Sequence, residues 1–146
     1  MHAVAVIDTS VWVSAFLNPA GFPARLVALG KKGGFDVVTS LPLLAELAEV
    51  LCRPRIKKVR DTTDSDADAF VRTIAGLAHV VPVTGELRLC RDPDDDIVLE
   101  TAIEGGATHV VSRDEDITRD LDLQAQLITS GIKVVTISHF LEELQS

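Results

Sequence analysis

Residues 90–117 read CRDPDDDIVLETAIEGGATHVVSRDEDI. The run Asp92-Pro93-Asp94-Asp95-Asp96 opens a helix expected over 96–104, with Leu99 and Ala102 following Asp96 at helical spacing. Gly105-Gly106 stops that helix. The apolar stretch 108–112 then reads as a buried strand, and it ends in Ser112-Arg113-Asp114-Glu115-Asp116. A helix that feeds a short buried strand through a brief turn is half of a βαβ unit.

The same alternation extends in both directions. Strands are expected over 3–7, 35–39, 80–83 and 134–137, the first of them ending at Asp8. Helices are expected over 10–17, capped by Thr9 or Ser10, and from Pro23 to about residue 32, where Gly33-Gly34 stops the chain. A turn at 18–22 separates the two. Leu43, Leu44, Leu47 and Leu51 mark a helix over 42–51, which Pro54 ends or offsets. Further helices are expected over 64–78 and 138–144. Strands alternating with helices pair in parallel and are covered on both faces. The expected architecture is therefore α/β: one domain, residues 1–146, a three-layer sandwich around a mainly parallel five-stranded sheet.

Hydrophobic residues make up 47% of the chain and charged residues 25%, the balance of a globular protein rather than a disordered one. No apolar run approaches the ~18 residues of a membrane span. Residues 1–7 lack a basic leader and Asp8 interrupts the apolar run, so no signal peptide is expected and the cytoplasm is the default location. Cys52 and Cys90 are expected to be reduced thiols. The net charge of −8 argues against a polyanionic partner, but its distribution matters more than its sum. Arg53, Arg55, Lys57, Lys58 and Arg60 form a basic segment, while 61–68 and 92–96 are acidic. An acidic zone that binds divalent cations leaves an RNA substrate open.

In open α/β sheets ligands sit beyond the carboxyl ends of the strands. The sequence puts Asp8 and Asp114 at two such ends, and Asp92–Asp96 at the start of the helix between. Taken alone, Asp8 reads equally well as a cap and Asp114 as a turn residue, while Asp92–Asp96 reads better as an acidic helix start that favours the dipole. Together they form a cluster whose like charges repel, so a cation is needed to join them. Oxygen ligands without a His or Cys cluster suit Mg²⁺ or Mn²⁺. Glu46 borders the buried face of its helix, among Leu43, Leu47 and Val50, and is the fourth candidate. His2, His79, His109 and His139 show no ligand spacing and read as structural. Trp12 is expected in the core or on a dimer face rather than stacked on a base. The basic segment, above all Arg53, Arg55, Lys57 and Lys58, is the candidate for contact with an RNA backbone.

Four pieces in order, IDTSVWVSAF at 7–16, LLAELAEVLCRPRI at 43–56, the 90–117 segment and GIKVVTISHFLEEL at 131–144, resemble the PIN-domain ribonucleases, the group that includes VapC-type toxins. The resemblance implies a cup of acidic residues on a parallel sheet and carries over Asp8, Glu46, Asp96 and Asp114 as catalytic and metal-binding positions. Asp95 can share the task of Asp96, with Asp94 adjacent, and Asp116 that of Asp114. Ser10 and Ser112 match hydroxyl positions that help to order the site. The implied activity is Mg²⁺-dependent endoribonuclease, Mn²⁺ serving as well, with a cognate antitoxin and a second copy of the chain as partners. Two other acidic-pocket folds fit poorly. Phosphoacceptor receiver domains need a Lys after the last strand, and the dehalogenase-type phosphatases need Asp-x-Asp where this chain has Asp8-Thr9-Ser10. The remaining alternative is a binding module of the same fold that acts through a protein partner.

Overall fold

The computed structural model describes residues 2–113 and 121–145. Five strands, β1 (Val4–Ile7), β2 (Asp36–Thr39), β3 (His79–Val80), β4 (His109–Ser112) and β5 (Lys133–Thr136), form one sheet in the order β3-β2-β1-β4-β5. Every pairing is parallel. The described helices are α1 (Thr9–Leu17), α2 (Phe22–Lys31), α3 (Leu41–Leu51), α4 (Pro54–Val59), α5 (Asp64–Leu77), α6 (Pro93–Glu104), α7 (Leu121–Thr129) and α8 (Ile137–Gln145).

The period-2 alternation of strand side chains divides the core into two layers. Ala5, Ile7, Val37, Val111 and Val135 face one way and pack with Val11, Trp12, Leu26, Leu47, Leu51 and Phe140 from α1, α2, α3 and α8. Val6, Val38 and Val110 face the other way and pack with Leu99, Ala102, Leu123 and Leu127 from α6 and α7. The expected three-layer sandwich is what forms, and Trp12 lies within the first core. Cys52 and Cys90 form no disulfide.

Most element ends lie within a residue or two of expectation; the differences have local causes. Asp8, not Thr9 or Ser10, is the N-cap of α1, in an extended conformation, and its side chain makes no bond to the helix backbone. The third strand, expected over 80–83, is only His79–Val80. Val81 N–H still reaches the Thr39 carbonyl, but β2 ends at Thr39 and the chain turns into α3 at Leu41, so residues 82–83 have no partner backbone to pair with. The helix expected from residue 96 begins at Pro93, with Asp92 as N-cap accepting the Asp94 N–H at 2.9 Å. Pro54 both ends α3 and starts α4, where it occupies the first turn at no hydrogen-bond cost. The sequence pattern assigned no element to α7, whose buried face is only Leu123 and Leu127.

The strand order reverses between β1 and β4: β2 and β3 lie on one side of β1, β4 and β5 on the other. The connections leaving the carboxyl ends of β1 and β4 therefore diverge and open a crevice there. Asp8 and Arg113, the residues that follow these two strands, stand at that crevice.

The α6–sheet contact is tight at its far end. A Cβ on Gly105 would come 2.2 Å from Val38 Cγ1. Gly105→Ala should therefore destabilise the protein by about 1–3 kcal/mol, as overpacking does. Gly76→Ala, in open space on exposed α5, should instead stabilise it by about 0.5–1 kcal/mol. Thermal melts of the two variants check the contrast; equal melting shifts would contradict it.

Candidate active site

Asp8 is half-buried at the end of β1, and two hydroxyls converge on its Oδ2: Ser10 Oγ donates at 3.2 Å and Ser112 Oγ at 3.1 Å. Ser10 comes from the first turn of α1, and Ser112 from the neighbouring strand, where the register pairs Ile7 with Val111. Asp8 N–H also bonds the Val111 carbonyl at 2.9 Å. The carboxylate is thus tied to two elements before any ligand arrives.

Asp8, Thr9 and Ser10 share one cleft with Glu46 of α3. Val13, Val50 and Ile56 form its apolar wall, and Arg55 and Arg113 also line it. Glu46 is exposed, yet its carboxyl is pushed above the ordinary glutamate value. Desolvation at the cleft is the largest cause, followed by the charges of Asp94, Asp8 and Glu49, with Arg53 opposing. The charges of Asp94 and Asp8 are thus both felt at Glu46, which links the three as one electrostatic group.

The acidic start of α6 resolves by helix phase. Asp96 is 2% exposed; its Oδ1 accepts the backbone N–H of Leu89 at 3.0 Å and of Cys90 at 2.7 Å. Burial opposes its charge, but those amides, the Cys90 thiol and nearby Arg88 hold its carboxyl below the usual value. The Cys90 thiol is in turn pushed up to about 12, by burial first and then by the Asp96 charge and hydrogen bond. Asp96 Oδ2 is buried and has no hydrogen-bond partner among the described residues.

Glu100, one turn on, plays a parallel part. Its Oε2 accepts the Thr84 N–H at 2.6 Å and its Oε1 the Gly85 N–H at 3.1 Å. Residues at i and i+4 share a helix face, so Asp96 and Glu100 form a stripe that holds the irregular segment between β3 and α6 by its amides. The sheet-facing stripe is one residue earlier: Leu99 and Ala102, both fully buried, lie at i+4 and i+7 from Asp95. Because α6 runs back from the carboxyl edge of the sheet, its first turn carries Asp95, which is half-buried, over that edge. Asp94 lies at i−7 from Thr101, whose hydroxyl meets Ser40 Oγ, just before α3, at 2.8 Å. That phase puts Asp94 on the α3 side, in agreement with its charge being felt at Glu46.

Asp114 and Asp116 lie outside the described residues. Among the described residues no three His, Cys, Asp or Glu side chains are close enough together to hold an ion as they stand. Of the basic candidates, Arg53 is held by a two-pronged pair to Glu49 and Lys57 is paired with Asp64. Lys58 is exposed away from the cleft lining, and Arg55 lines it. Arg113, which the sequence pattern did not single out, lines it too; its signal was its place one residue past a strand end. His109 is structural, its Nε2 2.6 Å from Glu143 and its Nδ1 2.7 Å from Thr108 Oγ1, against Phe140.

A PIN domain family model matches residues 4–116, most of the chain, and the chain belongs to that family. It is also 25% identical over 142 residues to the uncharacterized protein MJ1680 of Methanocaldococcus jannaschii, an alignment that covers 96% of this chain and 90% of the relative. The fold is accordingly a nuclease-like one. No helix of the described residues is long and apolar enough to cross a membrane.

The raised Glu46 carboxyl has a defined consequence for stability. A group whose folded pKa exceeds its unfolded value favours folding below the unfolded value and loses that contribution as pH rises through the folded one. In divalent-free buffer Glu46→Gln should therefore melt above the wild type at pH 7, and the two should converge as pH falls below the ordinary glutamate value of 4.5. Melts across pH check this; a variant that melts below the wild type at neutral pH would contradict the electrostatic grouping.

Proposed function

We propose that the chain is a metal-dependent endoribonuclease that works in the cytoplasm as the toxin of a type II toxin–antitoxin pair, with a cognate antitoxin and a second copy of itself as partners. One observation carries the catalytic part: Asp8 and Glu46 line one cleft at the crevice where the strand order of a PIN sheet reverses, and the charge of Asp94, in the first turn of α6, reaches Glu46. The toxin role, the antitoxin and the homodimer rest on the resemblance of the four sequence pieces to VapC-type proteins.

The donor set fits a hard divalent cation, Mg²⁺ or Mn²⁺. It is all oxygen, and the ionisation of Glu46 is opposed by desolvation and by the charges of Asp94, Asp8 and Glu49, a cost that a nearby cation offsets. Asp8, Asp95 and Glu46 are the residues assigned to hold it, with Asp94 beside them and Asp114, or Asp116, assigned from sequence. Such a cation, when bound, supplies a nucleophilic water at neutral pH and charge stabilisation at the phosphate. Ser10 and Ser112 act on Asp8 itself, fixing the plane of its carboxylate through Oδ2. On helix phase we assign the α6 ligand to Asp95 rather than Asp96, and give Asp96 the task of keeping the segment around Leu89 and Cys90 against α6.

A cleavage assay on single-stranded RNA with purified protein and Mg²⁺ tests this assignment. Asp8→Asn and Asp95→Asn should each lose at least about 100-fold in rate while melting no lower than the wild type in metal-free buffer. Asp96→Asn should lower the melting temperature and retain cleavage within about tenfold where folded. Wild-type rates in Asp8→Asn, or in Asp95→Asn together with a dead but stable Asp96→Asn, would overturn the assignments.

A further inference from the structure

The acids occupy one part of the cleft; two guanidinium groups occupy another. Arg55 comes from α4 in the helical layer and Arg113 follows β4 at the edge of the sheet. They therefore reach the same cleft from different layers, with Asp8 and Glu46 in the lining they share. The other cations of the basic segment have duties elsewhere. Arg53 forks onto Glu49. Lys57 pairs with Asp64. Arg60 donates to the Phe16 carbonyl at the end of α1 and lies over the Phe16 ring at 5.3 Å. Among the described residues Arg55 makes no ion pair. α4 is anchored by buried Ile56, which presents Arg55 to the cleft from a fixed base.

A strand of RNA that approaches a protein of net charge −8 meets repulsion everywhere except where cations are concentrated. Planar guanidinium forks match phosphate oxygens in pairs, which an ammonium does not. We infer that Arg55 and Arg113 form a two-armed clamp that binds successive phosphates of an RNA strand and lays the backbone across the acidic pair. This clamp rests on the ribonuclease assignment of the same cleft. It makes Arg113 a positioning residue of that site and separates Arg55 from the rest of the basic segment. Phosphate contacts hold register without reading sequence, so the clamp acts on any RNA strand the cleft admits.

The test is the affinity of a labelled single-stranded RNA oligonucleotide, measured by fluorescence anisotropy across a salt series in Mg²⁺ buffer, on the Asp8→Asn background so that the RNA stays intact. Arg55→Gln and Arg113→Gln should each weaken binding by about tenfold and reduce the slope of log affinity against log salt by about one. Arg113→Lys should restore the slope but only part of the affinity, a split that a merely structural arginine would not produce. Lys133→Gln, at the opposite edge of the sheet, should change neither. In the cleaving parent, Arg113→Gln should raise KM with little change in kcat. Unchanged affinity and salt slope in Arg113→Gln would overturn the clamp while RNA cleavage by the parent left the nuclease assignment standing. A parent that neither binds nor cleaves RNA would overturn both.

Discussion

Asp8 and Glu46 share a cleft in which desolvation, and then the charges of Asp94 and Asp8, make Glu46 harder to ionise. Much of the surrounding structure serves to hold these groups where water alone would let them separate. The parallel sheet delivers Asp8 at a strand end, two serines fix its orientation, and α3 brings Glu46 up on a helix whose other face is locked into the core by Leu43, Leu44, Leu47 and Leu51. Rigid elements keep repelling charges close, and the proposed cation site rests on that enforced proximity.

Helix α6 shows how a single acidic run can be split between structure and site. Successive residues on a helix point about 100° apart, so three adjacent aspartates cannot share a role. Asp96 joins Glu100 in taking four backbone amides of the segment that precedes the helix. Asp95 extends the stripe of Leu99 and Ala102 past the edge of the sheet, and Asp94 turns toward α3. The segment has little regular structure of its own; α6 supplies its order, and it in turn keeps Asp96 ionised in a buried place.

The fold was legible because its strands are short apolar runs with sharp ends: Asp8 after Ile7, Gly105-Gly106 before the fourth strand, Gly33-Gly34 before the second. What the pattern did not convey has physical causes. The third strand stops where its partner β2 turns into α3, a limit that lies in another part of the chain and is invisible to local hydrophobicity. Pro54 starts a helix as readily as it ends one, and α7 buries too few residues to set a period. In the site, strand ends pointed to Asp8 directly. The phase of α6 was ambiguous because its boundary was placed at Asp96 rather than Pro93, and the amide partners of Asp96 and Glu100 come from a segment with no periodicity to read. Arg113 carried no signal apart from its neighbours.

If this carboxylate group holds a divalent cation, Mn²⁺ binding followed by electron paramagnetic resonance reads it directly, with no RNA and no cleavage required. Mn²⁺ should bind saturably in the millimolar range or tighter, be competed by Mg²⁺, be lost in Asp8→Asn and weakened in Glu46→Gln, and be kept by folded Asp96→Asn. Mn²⁺ binding that is absent from the parent, or that is identical in Asp8→Asn and the parent, would contradict the proposed cation site.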